Sequence, residues 1–133
     1  MELIKIEKDS ERAKSLLALT TLRVNKIPNF NMDKESSLLA ESYYEICKEL
    51  ITALLFVDGC KTLSHKDLVE YIKLNYKERF SENEISTIDT LRKRRNSIVY
   101  YGVLVDPSYV KRNKAIFEGI ISKLKKIVET KLG

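Results

Sequence analysis

A chain of 133 residues is long enough for one domain with a real core and gives no reason to look for a second. At 44% hydrophobic and 32% charged, with no apolar run near the ~20 residues of a membrane span, it is not expected to be membrane-embedded. The 24 Lys and Arg outnumber the 19 Asp and Glu by five, a balance that mildly favours an anionic partner such as RNA and equally describes an ordinary solvated basic surface.

Met1 to Lys8 alternate charge with apolar groups and lack the continuous apolar stretch of a signal peptide, so a cytoplasmic protein is expected. A first helix is expected over roughly residues 2–26, with Leu16, Leu17, Leu19, Leu22 and Val24 in its second half. It ends before Pro28, which disfavours α geometry at Ile27. Asn29 to Met32 reads as a loop. Asp33 is placed to cap a second helix reaching about Val57, with an apolar stripe through Tyr43, Ile46, Cys47, Leu50 and Leu54. Gly59 closes that helix, and Ser64 followed by Asp67 starts a short third one through Leu68, Val69, Ile72 and Tyr76. Ser81 and Glu84 form a capping box for a fourth helix that runs to about Tyr101 and stops at Gly102.

Asp106-Pro107 opens a fifth helix that buries Ile116, Phe117, Ile120, Leu124 and Ile127. Gly119 within it points either to close approach of a neighbour or to a tolerated glycine. Val103-Leu104-Val105 is the only β-leaning run and is too short for a sheet. The expected fold is all-α: an antiparallel up-and-down four-helix bundle with a short additional helix, residues 1–133 forming one domain. Cys47 and Cys60 lack CxxC spacing and the chain has one histidine, so neither a metal site nor a redox pair is expected, and no cofactor.

The fourth helix holds Leu91-Arg92-Lys93-Arg94-Arg95-Asn96-Ser97-Ile98-Val99-Tyr100-Tyr101, the densest positive run in the chain. At about 100° per residue, Ile85, Ile88, Leu91, Ile98 and Val99 share one face and Arg95 falls near its middle. A guanidinium there needs a carboxylate, backbone carbonyls, a wet cleft or a bound anion. Only Glu49, at the edge of the second helix's stripe, offers an acid, so an internal ion pair has no obvious partner. Arg92, Asn96 and Tyr100 recur every four residues as a polar strip beside the apolar face. Arg95 and Tyr100 lie about 140° apart on the helix and converge only if a second copy is brought alongside, which points to a symmetric dimer through this helix.

Arg95-Asn96-Ser97-Ile98-Val99-Tyr100 resembles the Arg-Asn-x-x-x-His segment of the HEPN family of helical nucleotide-binding and ribonuclease domains, with tyrosine in the histidine's place. Gly59-Cys60-Lys61-Thr62-Leu63-Ser64-His65 is similar to the Gly-to-Ser-His connection that follows the second helix in archaeal-type and prokaryotic HEPN proteins, and the order of elements agrees over roughly residues 35–130. The resemblance implies a homodimer that joins two motif copies. In active members it implies metal-independent RNA cleavage, with the motif Arg and His around the scissile phosphate.

Arg95 and Asn96 carry over by position as catalytic candidates with Tyr100, but a phenol is a poor general base at neutral pH. His65, the sole imidazole, opens the third helix and reads first as a structural residue beside a cap. The leading expectation is therefore a dimer whose basic groove, with Arg92, Arg94, Arg95 and the stacking ring of Tyr101, binds RNA or a nucleotide without efficient cleavage. One alternative is a metal-independent endoribonuclease, toxin-like, in which Tyr100 takes the histidine's part. Another is an interaction module paired with a small nucleotidyltransferase in a toxin-antitoxin-type pair; the acceptor position that the resemblance implies falls on Gly102, leaving Tyr100 or Tyr101 as substitutes.

Overall fold

A computed structural model describes all 133 residues: strand β1 (Leu3–Lys5), helices α1 (Ser10–Lys26) and α2 (Ser36–Asp58), strand β2 (Cys60–Thr62), and helices α3 (His65–Asn75), α4 (Glu82–Tyr101) and α5 (Pro107–Leu132). No helix is long and apolar enough to cross a membrane. The all-α expectation holds, with five helices and one two-stranded ribbon. Hydrogen bonds and ion pairs between elements fix the helix directions. Asp9 N–H donates to the Phe56 carbonyl and Arg23 pairs with Glu49, so α1 and α2 run antiparallel. Arg95 pairs with Glu45 while Val105 meets Ser36 and Ser37, so α4 also opposes α2. Lys111 meets Asp33 and Lys131 meets Asp58, so α5 runs with α2. The long helices therefore alternate up and down, and α2 packs against α1, α4 and α5.

Most boundaries follow from local chemistry. Ser64 accepts from Asp67 N–H, the Ser81–Glu84 box is closed in both directions, and Asp106 caps α5 with Pro107 in its first turn. Gly59 and Gly102 end α2 and α4 at φ 78° and 65°, a region that side chains with a Cβ avoid.

The chain departs from expectation in two places, the start of the first helix and the cap of the second. The first helix begins at Ser10, capped by Asp9, rather than near residue 2. The preceding segment pairs antiparallel with β2, Leu3 opposite Thr62 and Lys5 opposite Cys60, and so satisfies the backbone of the α2–α3 connection. Asp33 does not cap α2. Asn31 Oδ1 accepts from the amides of Asp33 and Lys34, an Asx turn that carries the chain on to a start at Ser36 and leaves Asp33 to Lys111 at 2.7 Å. As expected, Val103–Val105 forms no strand; Val105 is held by the Ser36 and Ser37 hydroxyls. A Cβ on Gly119 would meet nothing within 4 Å, so no neighbour requires that glycine.

Candidate nucleic-acid interface

Beyond the exposed Leu38 of its first turn, helix α2 has no exposed residue, and its flank towards α4 carries Tyr44, Glu45 and Lys48 within one turn. Opposite them α4 presents Arg92 and Arg95. Arg95 Nη2 donates to Glu45 Oε1 at 3.2 Å, Lys48 Nζ lies 2.7 Å from Glu45 Oε2, and the Arg95 guanidinium sits over the Tyr44 ring at 5.7 Å. On its other side Tyr44 meets the imidazole of His65, ring centroids 6.0 Å apart. Arg95 is thus not partnerless. The missing acid is Glu45, whereas Glu49 is committed to α1 through Arg23 at 2.7 Å and Thr20. A wheel with a single apolar stripe places Glu45 on the solvent side of α2, but a helix surrounded by neighbours has no solvent side.

The pairing leaves bonding capacity over. Arg95 is 15% exposed, yet its Nε has no partner, and the hydroxyl of the deeply buried Tyr44 has none either. One turn earlier, Arg92 and Lys93 share the single carboxylate of Asp89, at 3.1 and 3.2 Å. Arg94 has no carboxylate at all and lies over the Tyr109 ring at 5.0 Å. Lys48 and the four cations of α4 therefore share only Glu45 and Asp89.

Electrostatics follow from that surplus. Burial pushes the Glu45 carboxyl up, but the hydrogen bond from Lys48 and the charges of Lys48, Arg95 and Arg23 outweigh it and hold the carboxyl below its ordinary value. Asp89 is held down in the same way by Lys93 and Arg92, against its own burial. Burial raises the Tyr44 phenol well beyond its usual range although Arg95 and Arg92 pull it down. His65 is lowered, by burial first and then by Lys48, Arg95 and Arg92, with Glu45 opposing.

The expected strip of Arg92, Asn96 and Tyr100 runs from inside the bundle outwards. Arg92 is largely covered, Asn96 half-buried, and Tyr100 65% exposed. Arg95 points inward to Glu45 while Tyr100 faces solvent, so one chain does not bring the two together. Tyr101 is 80% exposed and, with Val99, Val103 and Leu104, leaves an apolar patch at the end of α4. The residues that sequence reasoning missed are Tyr44, Glu45 and Lys48. His65 sits beside this cluster as well as opening α3, and only the folding of α3 against α2 reveals it. No three His, Cys, Asp or Glu side chains come together to hold a metal ion.

Two clefts flank α3. The larger, about 790 Å³ between α3 and the start of α4, is lined by Lys66, Lys73 and Lys77 against Glu70, Glu78, Glu82 and Asp89, and so favours neither sign of charge. The smaller, about 320 Å³, adjoins the Arg95 cluster through Lys48 and His65. Comparison with protein-family models and with curated proteins finds no match to this chain.

Proposed function

We propose that the protein is a HEPN-like homodimer that binds RNA or a nucleotide through the α4 face, with little or no cleavage by α4 itself. The observation that carries the reading is the surplus of cations around Arg95: five basic side chains on two carboxylates, with a bare Nε on a mostly buried guanidinium. Arg23, 38% exposed, pairs its Nε with Glu49, whereas Arg95 is mostly buried and leaves its Nε unpaired. An anion arriving beside Arg95 meets the guanidinium at its solvent-reaching edge rather than at the buried Nε, and is there a charge-assisted acceptor. The order of helices, the Arg95-Asn96 pair on α4 and the Gly59 to His65 connection support the family reading. The exposed Val99, Tyr100, Tyr101 and Leu104 support a second copy docking along the end of α4. Weak cleavage follows from Tyr100, which stands where the resemblance implies an imidazole and faces solvent away from Arg95.

Fluorescence anisotropy with labelled single-stranded RNA across a salt series tests the reading. The protein binds at low salt, and affinity falls with salt in proportion to the phosphates neutralised. Arg95→Ala weakens binding and flattens the salt dependence; unchanged affinity in that variant overturns the assignment.

A catalytic reading has one observation in its favour, the placement of His65 beside the arginines and its lowered proton affinity, which keeps a neutral imidazole available near pH 7. Incubation of RNA with the protein in EDTA distinguishes it: 2′,3′-cyclic phosphate ends formed by the unaltered protein and abolished in His65→Ala establish cleavage.

A further inference from the structure

The 320 Å³ cleft between α2, β2 and the start of α3 has a lining with a marked chemical bias. Lys48, Lys61 and His65 border it with the hydroxyl-bearing Thr52, Thr62 and Ser64, and no Asp or Glu lines it. The remainder is apolar, chiefly Leu55, Phe56, Leu63 and Leu68, with Cys60 at the edge. Lys61 projects from β2 into solvent and has no ion-pair partner, and His65 makes no side-chain hydrogen bond within the fold. Lys48 alone is paired, to Glu45, which belongs to the Arg95 cluster and stands outside the lining. In a chain with 19 carboxylates, an acid-free cleft bordered by two ammonium groups is a local field for an anion. The larger cleft on the other side of α3, with four carboxylates against three lysines, is the internal contrast.

We propose that this cleft is a subsite for a terminal phosphate, a phosphate monoester carried either by the end of an RNA strand or by a mononucleotide. The assignment rests on the reading of the α4 face as an RNA or nucleotide site. Size is consistent with one nucleotide unit, since pockets for small ligands begin near about 300 Å³. Chemistry selects the monoester over an internal diester. A monoester carries about 1.5 to 2 negative charges at neutral pH, against one for a diester, so two lysines discriminate in its favour. The imidazole N–H of His65 and the hydroxyl of Ser64, which accepts from Asp67 N–H and keeps its own proton, are donors for its oxygens, whereas the Thr52 hydroxyl is taken by the Lys48 carbonyl. Leu63 and Phe56 give the sugar or base an apolar wall. Lys48 and His65 border both the cleft and the Arg95 cluster, so a strand whose end sits in the cleft continues onto α4.

The test compares two pairs of ligands on the full chain at low salt: a single-stranded RNA with a 5′- or 3′-phosphate against the same RNA with hydroxyl ends, and a nucleoside monophosphate against its nucleoside. The phosphorylated RNA is expected to bind five- to tenfold more tightly than the hydroxyl form. Lys61→Glu and the milder Lys61→Ala remove that preference. Lys77→Glu, an equal change in total charge placed in the balanced cleft, leaves it intact. A preference shown by the mononucleotide as well as the RNA identifies a free nucleotide as sufficient ligand; a preference confined to RNA identifies the strand end. Equal affinity for phosphorylated and hydroxyl RNA overturns the subsite while leaving the α4 reading standing. Loss of the preference in Lys77→Glu overturns the subsite too, by showing that overall charge alone is sensed. Absence of binding by any RNA overturns both.

Discussion

Two acidic residues of α2, Asp58 at its end and Glu45 nearer its start, sit at buried junctions of three helices and differ in how completely they are used. Asp58 Oδ2 accepts from the hydroxyls of Tyr71 and Tyr76 at 2.5 and 2.6 Å, and Oδ1 takes the ammonium of Lys131. One cation and two neutral donors meet one carboxylate, and the three partners come from α3, the turn after it and α5. Glu45 instead meets two cations, with the charge of Arg23 also acting on it and a bare guanidinium nitrogen beside it. A closed junction fastens helices; an open one holds charge in reserve for a ligand. Burial raises Asp58, but hydrogen bonds from Lys131, Tyr71 and Tyr76 outweigh it and hold the carboxyl below its usual value, and Tyr76 is in turn pushed up to about 12, by burial and then by Asp58. The same depression at Glu45 comes, against burial, from the Lys48 hydrogen bond and then from the charges of Lys48, Arg95 and Arg23, and all three of those groups are cations that a bound phosphate also seeks.

Isosteric replacement at the two positions tests that difference. Asp58→Asn places an amide among three donors, so at least one of Lys131, Tyr71 and Tyr76 loses its acceptor. The expected cost is about 3 kcal/mol, read from urea unfolding, with RNA binding unaltered in the folded protein. Because Asp58 is depressed in the folded state, its contribution is present above the unfolded carboxylate value near 3.8 and is lost as pH falls through the lower folded value. Glu45→Gln keeps shape and an acceptor oxygen for Arg95, so the expected cost is smaller, about 1 kcal/mol. It also frees one positive charge, and RNA affinity rises with a salt dependence steeper by roughly 0.7. If Glu45→Gln destabilises as much as Asp58→Asn and leaves RNA affinity unchanged, the two junctions are of one kind.

How much of this was legible in the sequence depends on how local the cause is. The caps at Ser64, Ser81 and Asp106 and the stops at Gly59 and Gly102 are set within three or four residues, and each is found where the pattern placed it. Asp33 failed as a cap because Asn31, two residues earlier, takes the amides of Asp33 and Lys34 and holds them in a turn ahead of the helix. The β1–β2 ribbon pairs residues nearly sixty positions apart, and neither three-residue strand has a periodicity of its own. The site divides in the same way. Arg95 was visible as a charge on an apolar face, while its acid, 50 residues away on a helix with no exposed residue past its first turn, needed the fold. His65 was visible as a cap neighbour, and its place beside Tyr44 and Arg95 was not.

The smallest effect offers the cleanest reading of the open junction, because His65 is the only histidine in the chain. Burial, Lys48, Arg95 and Arg92 lower its proton affinity and Glu45 only partly compensates, so the folded value lies beneath the 6.5 of an exposed imidazole. Between those two values the unfolded chain binds more protons than the folded one. Stability from this group therefore falls as pH drops from 7 through 6.5 towards the folded value, and levels off below it. No other side chain has an ordinary value in that window, and the depressed carboxylates titrate lower still. Urea midpoints at pH 7 and pH 5.5 should differ slightly in the unaltered protein and coincide in His65→Gln. An anion in the cleft adds negative charge beside the imidazole and raises its folded value, so saturating phosphate should shrink the same difference. A pH dependence that survives in His65→Gln would mean that the imidazole lies outside the field of the cluster, and the contrast between the two junctions would then rest on Glu45 alone. One that vanishes in His65→Gln but that phosphate leaves untouched would mean that no anion settles beside the imidazole.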